Sequence, residues 1–302
     1  MVKSILIAGP TASGKSSLAL ALAERHNGII INTDALQVYD RWRILTARPS
    51  PSDEDSAPHA LYGHVNMDAA YSVGGWIKDV KRVLQDTDLT PIFVGGTGLY
   101  FGALTNGLAD IPAIPDDIRS FGNTQRDTVG KDWFADILAR NDPETYDNMD
   151  QLNPARLQRA WEVLETTGKG LAYWKSTTPP PLIRLEETLP IVLNWQVNPL
   201  NARIDKRFDM MINAGALTEV ETVKNGYWHP SLPSSRALGA LEIMAVIDGK
   251  ITMEDAVIKA KMLTHRFAKR QRTWFRGKMS SWRQIAMTDS TSTKEILATL
   301  DS

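Results

Sequence analysis

Cysteine is absent from this chain. That excludes disulfides, cysteine-ligated zinc and thiol nucleophiles together. Long apolar runs are missing as well, so no segment has the length of a membrane-spanning helix. The chain opens Met1-Val2-Lys3 and enters an apolar run at once. This leaves no room for a cleavable leader and makes a cytoplasmic protein the expectation. Acidic residues are missing from one long basic stretch as well. Between Ala256 and Thr288 there is no Asp or Glu, while nine Lys and Arg stand there: Lys259, Lys261, Arg266, Lys269, Arg270, Arg272, Arg276, Lys278 and Arg283. The chain as a whole has a net charge of -1, so the remainder is acidic. A basic element on an acidic body suits an anionic partner, either phosphates or nucleic acid.

What is present includes a strong phosphate-binding signal. Residues 9–16 read Gly9-Pro10-Thr11-Ala12-Ser13-Gly14-Lys15-Ser16. This is the P-loop spacing, and it lies between an apolar run and a helix-forming stretch from Lys15 to Arg25. In such a loop backbone N–H groups converge on an anion, and the helix N-terminus adds partial positive charge. Lys15 supplies a point charge for the outer phosphate, and the Ser16 hydroxyl can reach a magnesium ion.

Four apolar runs follow the parallel-strand pattern: Ile5–Ala8, Gly28–Asn32, Pro91–Val94 and Pro190–Trp195. Continuous β-branched runs separated by helical segments indicate an α/β fold, a P-loop NTPase-like parallel sheet flanked by helices. Ligands bind outside the carboxyl ends of such strands, which singles out the P-loop, Asp34 and the turn Gly95-Gly96-Thr97. From Ile111 to about Leu185 the character changes. Pro112, Pro115 and Pro179-Pro180-Pro181 bracket a segment without a convincing strand, in which Trp133–Arg140 and Pro154–Thr166 are amphipathic. The expected organisation is a catalytic core of residues 1–111 plus 186–302, with a helical insertion over 112–185. Further helices are expected at 202–214, 217–225, 239–247 and 253–276, and the polar tail after Thr288 is expected to fray.

The strand Ile92-Phe93-Val94 runs into Gly95-Gly96-Thr97, where a phosphoryl-transfer enzyme carries a magnesium-binding acid. Asp34, just past the second strand, has three readings. It can hold magnesium through water, act as a general base, or cap a helix over Asp-Ala-Leu-Gln. In Ala268–Arg276, helical spacing puts Lys269, Arg272 and Arg276 near one face, a pattern that suits RNA phosphates. Trp274 and Phe275, taken alone, read as core residues.

Taken together these motifs resemble those of the tRNA dimethylallyltransferase family. The matching stretches are 9–16, Asp34-Ala-Leu-Gln-Val-Tyr39, Thr46-Ala-Arg-Pro49, Pro58-His59, Tyr71-Ser72, Gly95-Gly-Thr-Gly-Leu-Tyr100, Arg156 to Val163, Leu232-Pro-Ser-Ser-Arg236 and Ala268 to Arg276. They run in the family's order over nearly the whole chain. The resemblance implies that the P-loop holds the diphosphate of dimethylallyl diphosphate, with Arg236 as a further cation and Mg2+ at Ser16. It implies that Asp34 takes a proton from the exocyclic amine of the adenosine next to the anticodon, and that Thr97 places the base or the bridging oxygen. Residues Asp34, Ala35, Leu36, Gln37 and Thr97 would face the extruded adenosine, with Gln37 reading its edge. Arg119, Ala155, Arg156, Leu157, Gln158 and Arg159 of the insertion, with Lys269 and Arg272, would hold the tRNA anticodon stem-loop. A monomer without membrane association is expected.

The chain departs from the family at two points. Gly239 is followed by Ala240 and Leu241, where the family usually has Tyr and a cation, and His59 is followed by Ala60, where paired histidines are common. Two other classes compete with this reading. A P-loop kinase or nucleotidase would bind ATP tightly, and a non-catalytic RNA-binding protein would need a broken site.

Overall fold

In the computed structural model, which describes residues 3–230 and 232–301, the four apolar runs form the inner strands of one sheet. The strands are β1 Ser4–Ala8, β2 Gly28–Asn32, β3 His59–Ala60, β4 Thr90–Gly95, β5 Thr188–Trp195 and β6 Arg283–Met287. All pairings are parallel, in the order β3-β2-β4-β1-β5-β6. Every residue of β1 is buried, because it lies between β4 and β5 and under helices on both faces. Side chains alternate across a strand, and the two cores follow that alternation. Ile5 and Ile7 pack with Leu18 and Leu22 of the helix Lys15–His26 on one face. Leu6 and Ala8 pack with Trp76, Phe101 and Phe275 on the other.

The chain divides into two compact units, Met1–Thr105 with Leu182–Ser302, and Asn106–Pro181. The sheet belongs to the first. The expected bounds of 112–185 shift at both ends: residues 106–111, assigned to the core, belong to the helical unit, and residues 182–185, assigned to the insertion, join the sheet unit. Ile183 is buried in its core and its N–H bonds the Leu104 carbonyl at 3.1 Å.

The second unit is helical, with helices at Asp116–Thr128, Lys131–Asn141, Pro143–Asp147, Pro154–Thr167 and Leu171–Ser176. Its own core is Phe134, Leu138, Leu157, Ala160 and Trp161.

The tail differs from expectation. Thr293–Asp301 is a helix, not a frayed end. Ile296 is buried in the first core, and Leu297 and Leu300 pack against it. Arg25 pairs with Asp301 at 2.8 Å. Burial of one apolar stripe overrides the polar composition of the segment.

Candidate active site

The P-loop turns into its helix at Gly14, whose φ of 89° is left-handed and natural only to glycine. Lys15 Nζ folds back and donates to the Pro10 carbonyl at 2.7 Å, with Ser13 Oγ at 3.5 Å. The opposite wall comes from the helix Val197–Asn213, which starts two residues past the carboxyl end of β5. It brings Arg203, Lys206 and Arg207 to the loop. Arg203 Nε donates to the Ala12 carbonyl at 3.0 Å, and its guanidinium lies 4.6 Å from the Trp195 ring. Trp195 Nε1 in turn donates to the Ser13 carbonyl at 3.1 Å. Arg207 donates to Thr11 Oγ1. Between the 12–17 segment and these three cations lies a cavity of about 430 Å³.

At Lys15 and Arg207 the charged form is disfavoured, first by burial. Burial, and then the Arg207 guanidinium, lower the Lys15 pKa to about 7, with Asp34 opposing. Burial also lowers Arg207 to about 10; Asp34 again opposes and Arg203 adds to the lowering. This is an anion site, charged against its own interest until an anion arrives.

Asp34 stands at the end of β2, and its placement is over-determined. The buried Asn32 accepts the Asp34 N–H at 2.8 Å and donates to the carbonyls of Asp34 and Leu61, both at 3.0 Å. Trp76 Nε1 donates to the Asn32 carbonyl at 2.8 Å. Asp34 Oδ1 accepts the Leu36 N–H at 2.9 Å. Residues 35–38 form a turn, so the helix-cap reading of Asp34 does not hold; the bond to Leu36 is an Asx-turn. It occupies one carboxylate oxygen and leaves Oδ2 for chemistry.

The Gly95-Gly96-Thr97 turn is tied to the same place. A Cβ on Gly95 would lie 2.1 Å from the Thr33 carbonyl oxygen, so the absent acid is a steric matter as well as a chemical one. Thr97 Oγ1 accepts the Ala35 N–H at 3.1 Å, which holds its hydroxyl beside the Asp34 turn. One further side chain joins the two loops. Gln271, buried on the basic helix Met253–Lys278, accepts the Thr11 N–H at 2.9 Å and donates to the Gly96 carbonyl at 3.0 Å.

Lys15, Ser16, Asp34, Gln37, Arg207 and Gln271 therefore line one common cavity. Gln37 donates its amide to the carbonyls of Thr46 and Ala47, both at 2.8 Å. What it can offer a base is thus its carbonyl oxygen, an acceptor. Asp34, Thr11 and Arg207 also border a pocket whose other walls are mostly apolar, among them Leu45, Phe208, Met211 and Phe267, with Thr46 and Thr264.

Other expected residues lie elsewhere. Arg236 is exposed at the end of the turn Pro233–Arg236 and lines none of these cavities; its electrostatic neighbour is Tyr39. The cations that do face the P-loop are Arg203, Lys206 and Arg207. Their signal was available as three basic residues at helical spacing just after a strand's carboxyl end. Gln271 carried no such signal.

In the second unit, Arg119, Ala155 and Arg156 are exposed, and Arg159 is half-buried, 3.6 Å from Glu162. Leu157 is fully buried, and so is not a surface residue. Gln158 is buried too, donating to Asn123 and Glu162 at 2.9 Å each and accepting from Arg126. These two support the surface and do not form it.

On the basic helix, Lys269 is exposed and Arg272 half-buried. Among the described residues no three acidic, histidine or cysteine side chains gather as a metal site, and no helix is long and apolar enough to cross a membrane.

The chain is similar to a set of known proteins over nearly its whole length. It is 51% identical over 283 residues to the tRNA dimethylallyltransferase of Cereibacter sphaeroides, which covers 94% of this chain and 96% of that one. It is 50% identical to the tRNA dimethylallyltransferase of a Ruegeria species, covering 93% of this chain and 95% of that one. Among solved structures, the full-length tRNA isopentenylpyrophosphate transferase of Bacillus halodurans superposes with a TM-score of 0.71 at 29% identity, covering 100% and 95% of the two chains. A eukaryotic dimethylallyltransferase acting on tRNA superposes with a TM-score of 0.84 at 25% identity, covering 100% of this chain and 79% of that one. The IPP transferase family profile matches residues 37–278, and with a P-loop facing three cations and a carboxylate held at its rim, the chain belongs to the IPP transferase family.

Proposed function

We propose that this protein transfers a dimethylallyl group from dimethylallyl diphosphate to the exocyclic amine of the adenosine next to the anticodon in tRNA, releasing diphosphate. The observation that carries this reading is the cavity shared by Lys15, Ser16, Arg207 and Asp34. It offers cations for a diphosphate and a carboxylate for a proton, and its 95–97 turn has no acid for phosphoryl transfer.

The diphosphate lies in the P-loop between Lys15 and Arg207. The prenyl chain enters the apolar pocket lined by Leu45, Phe208 and Met211. The adenosine leaves its stack to reach Asp34 and Thr97, as enzymes acting on a base require.

As the amine nitrogen forms its bond to the allylic carbon, the carbon–oxygen bond to diphosphate breaks and its electron pair leaves with the diphosphate. The amine proton passes to Asp34 Oδ2. Negative charge grows on the leaving group beside Lys15, Arg203 and Arg207, and positive charge held at that place lowers the barrier.

Magnesium fits the donors present. Ser16 would hold it through one hard oxygen, the kind of donor this ion takes. When bound it neutralises the leaving group. The exposed Arg119 and Arg156 of the second unit, and Lys269 and Arg272 of the basic helix, hold the stem-loop phosphates.

Incubation with an anticodon stem-loop and dimethylallyl diphosphate, followed by mass spectrometry of the nucleosides, tests the reading. One adenosine should gain the mass of one isoprenoid unit. An unmodified stem-loop, with ATP consumed against a small acceptor, would instead support a kinase.

A further inference from the structure

Trp274 and Phe275 are neighbours on the basic helix with opposite fates. Phe275 is 2% exposed and sits in the sheet's second core, as its composition suggests, but Trp274 is 37% exposed. The indole is not loose. It lies across the backbone of Gly98, where a Cβ would come within 1.9 Å of Nε1. A side chain at Gly98 would push the ring aside, so the indole packs directly on this backbone, one residue from Thr97. Leu99, the residue after Gly98, is 54% exposed.

The charge around this ring differs from the rest of the helix. Toward the N-terminus most of the basic residues are paired, Lys259 with Glu242, Lys261 with Asp209 and His265 with Asp205, and Arg266 alone enters no ion pair among the described residues. Around Trp274, Lys269, Arg270, Arg276 and Lys278 enter no ion pair among the described residues. Arg270 and Lys278 lie four residues before and after Trp274, on the same stripe of the helix. Unpaired cations beside an exposed indole form the combination that takes a nucleic-acid strand, phosphates on the cations and a base on the ring.

Resting on the function proposed above, we infer that Trp274 is a positioning residue that stacks on the loop base adjoining the extruded adenosine. Extrusion takes from that neighbour the partner it was stacked on. An indole beside Thr97 replaces the lost partner, and so stabilises the opened loop while Thr97 and Asp34 engage the adenosine.

The test uses stem-loops carrying 2-aminopurine on one or the other side of the reactive adenosine. Its fluorescence is quenched by stacking. With the wild-type protein one of the two flanking probes should stay quenched when bound. With Trp274→Ala that probe should brighten several-fold, and KM for the stem-loop should rise about tenfold or more. Trp274→Phe should restore most of the quenching. KM for dimethylallyl diphosphate should not move, and binding of that substrate reports that each variant is folded. Equal fluorescence for wild type and Trp274→Ala at both flanks, with unchanged stem-loop KM, would overturn the inference and leave Trp274 as a cover for Gly98. Failure of the wild-type protein to modify the stem-loop at all would overturn the proposed function instead.

Discussion

At Lys15 the fold holds a cation with a pKa of about 7, against 10.5 in its unburied form. Between these values the unfolded chain binds one proton more than the folded one, so this residue makes stability rise with pH across that window. A bound diphosphate reverses the balance, because an adjacent anion favours the ammonium form. Diphosphate binding should therefore draw in a proton, and affinity should fall as pH rises above about 7. Calorimetry at pH 8 in two buffers of different ionisation enthalpy should show uptake approaching one proton per diphosphate, abolished in Lys15→Met. A heat that does not depend on the buffer would contradict this. Asp34 admits a cleaner substitution. Asp34→Asn keeps an acceptor for the Leu36 N–H but cannot take a proton. Turnover should drop by roughly 100-fold or more, with stem-loop affinity nearly unchanged. A variant with near-normal turnover would reduce Asp34 to a turn former.

Among the elements, the basic helix Met253–Lys278 performs two tasks. Its buried face carries Gln271 to both catalytic loops, and its C-terminal half exposes unpaired cations. Gln271→Ala removes a bond to the P-loop and a bond to the 95–97 turn in one change. Small misplacements of a reacting pair are costly, so kcat should fall and KM for the prenyl diphosphate rise, each by about tenfold. A lowered melting temperature with unaltered kinetics would show that Gln271 only braces the core. The same helix shows how far an element can be read from its residues. Its extent is legible from periodicity, and so is its charge. Its buried side is not, because Gln271 is polar and its value depends on two loops more than 170 residues away in sequence. The strands divide similarly. The four inner ones are continuous apolar runs, whereas β3 and β6 are edge strands, short or mixed in character, that pair only because a neighbour offers its free edge.

For the whole molecule, Leu104 and Ile183 are joined by a backbone hydrogen bond, so the sheet unit closes on itself where the helical unit leaves and returns. Replacing residues 106–181 with a short glycine-serine bridge should leave a folded sheet unit that still binds dimethylallyl diphosphate. Modification of the stem-loop should fall by about 100-fold or more, because the RNA loses a holding surface while the chemistry stays in place. Loss of diphosphate binding in the shortened protein would show that the two units are not separable in this way. By itself the sequence determined the local terms: the P-loop with its glycines and lysine, the inner strands, the helical insertion, and the carboxylate after the second strand. Each of these is set by residues close together in the chain, through backbone conformation and periodicity. Only the tertiary structure decided which cations face the P-loop, placing Arg203 and Arg207 there and Arg236 elsewhere. It alone buried Leu157 and Gln158, exposed Trp274 and ordered the tail. The reason is physical: burial and charge proximity are properties of residues distant in sequence, and they exist only once the sheet has brought its strand ends together.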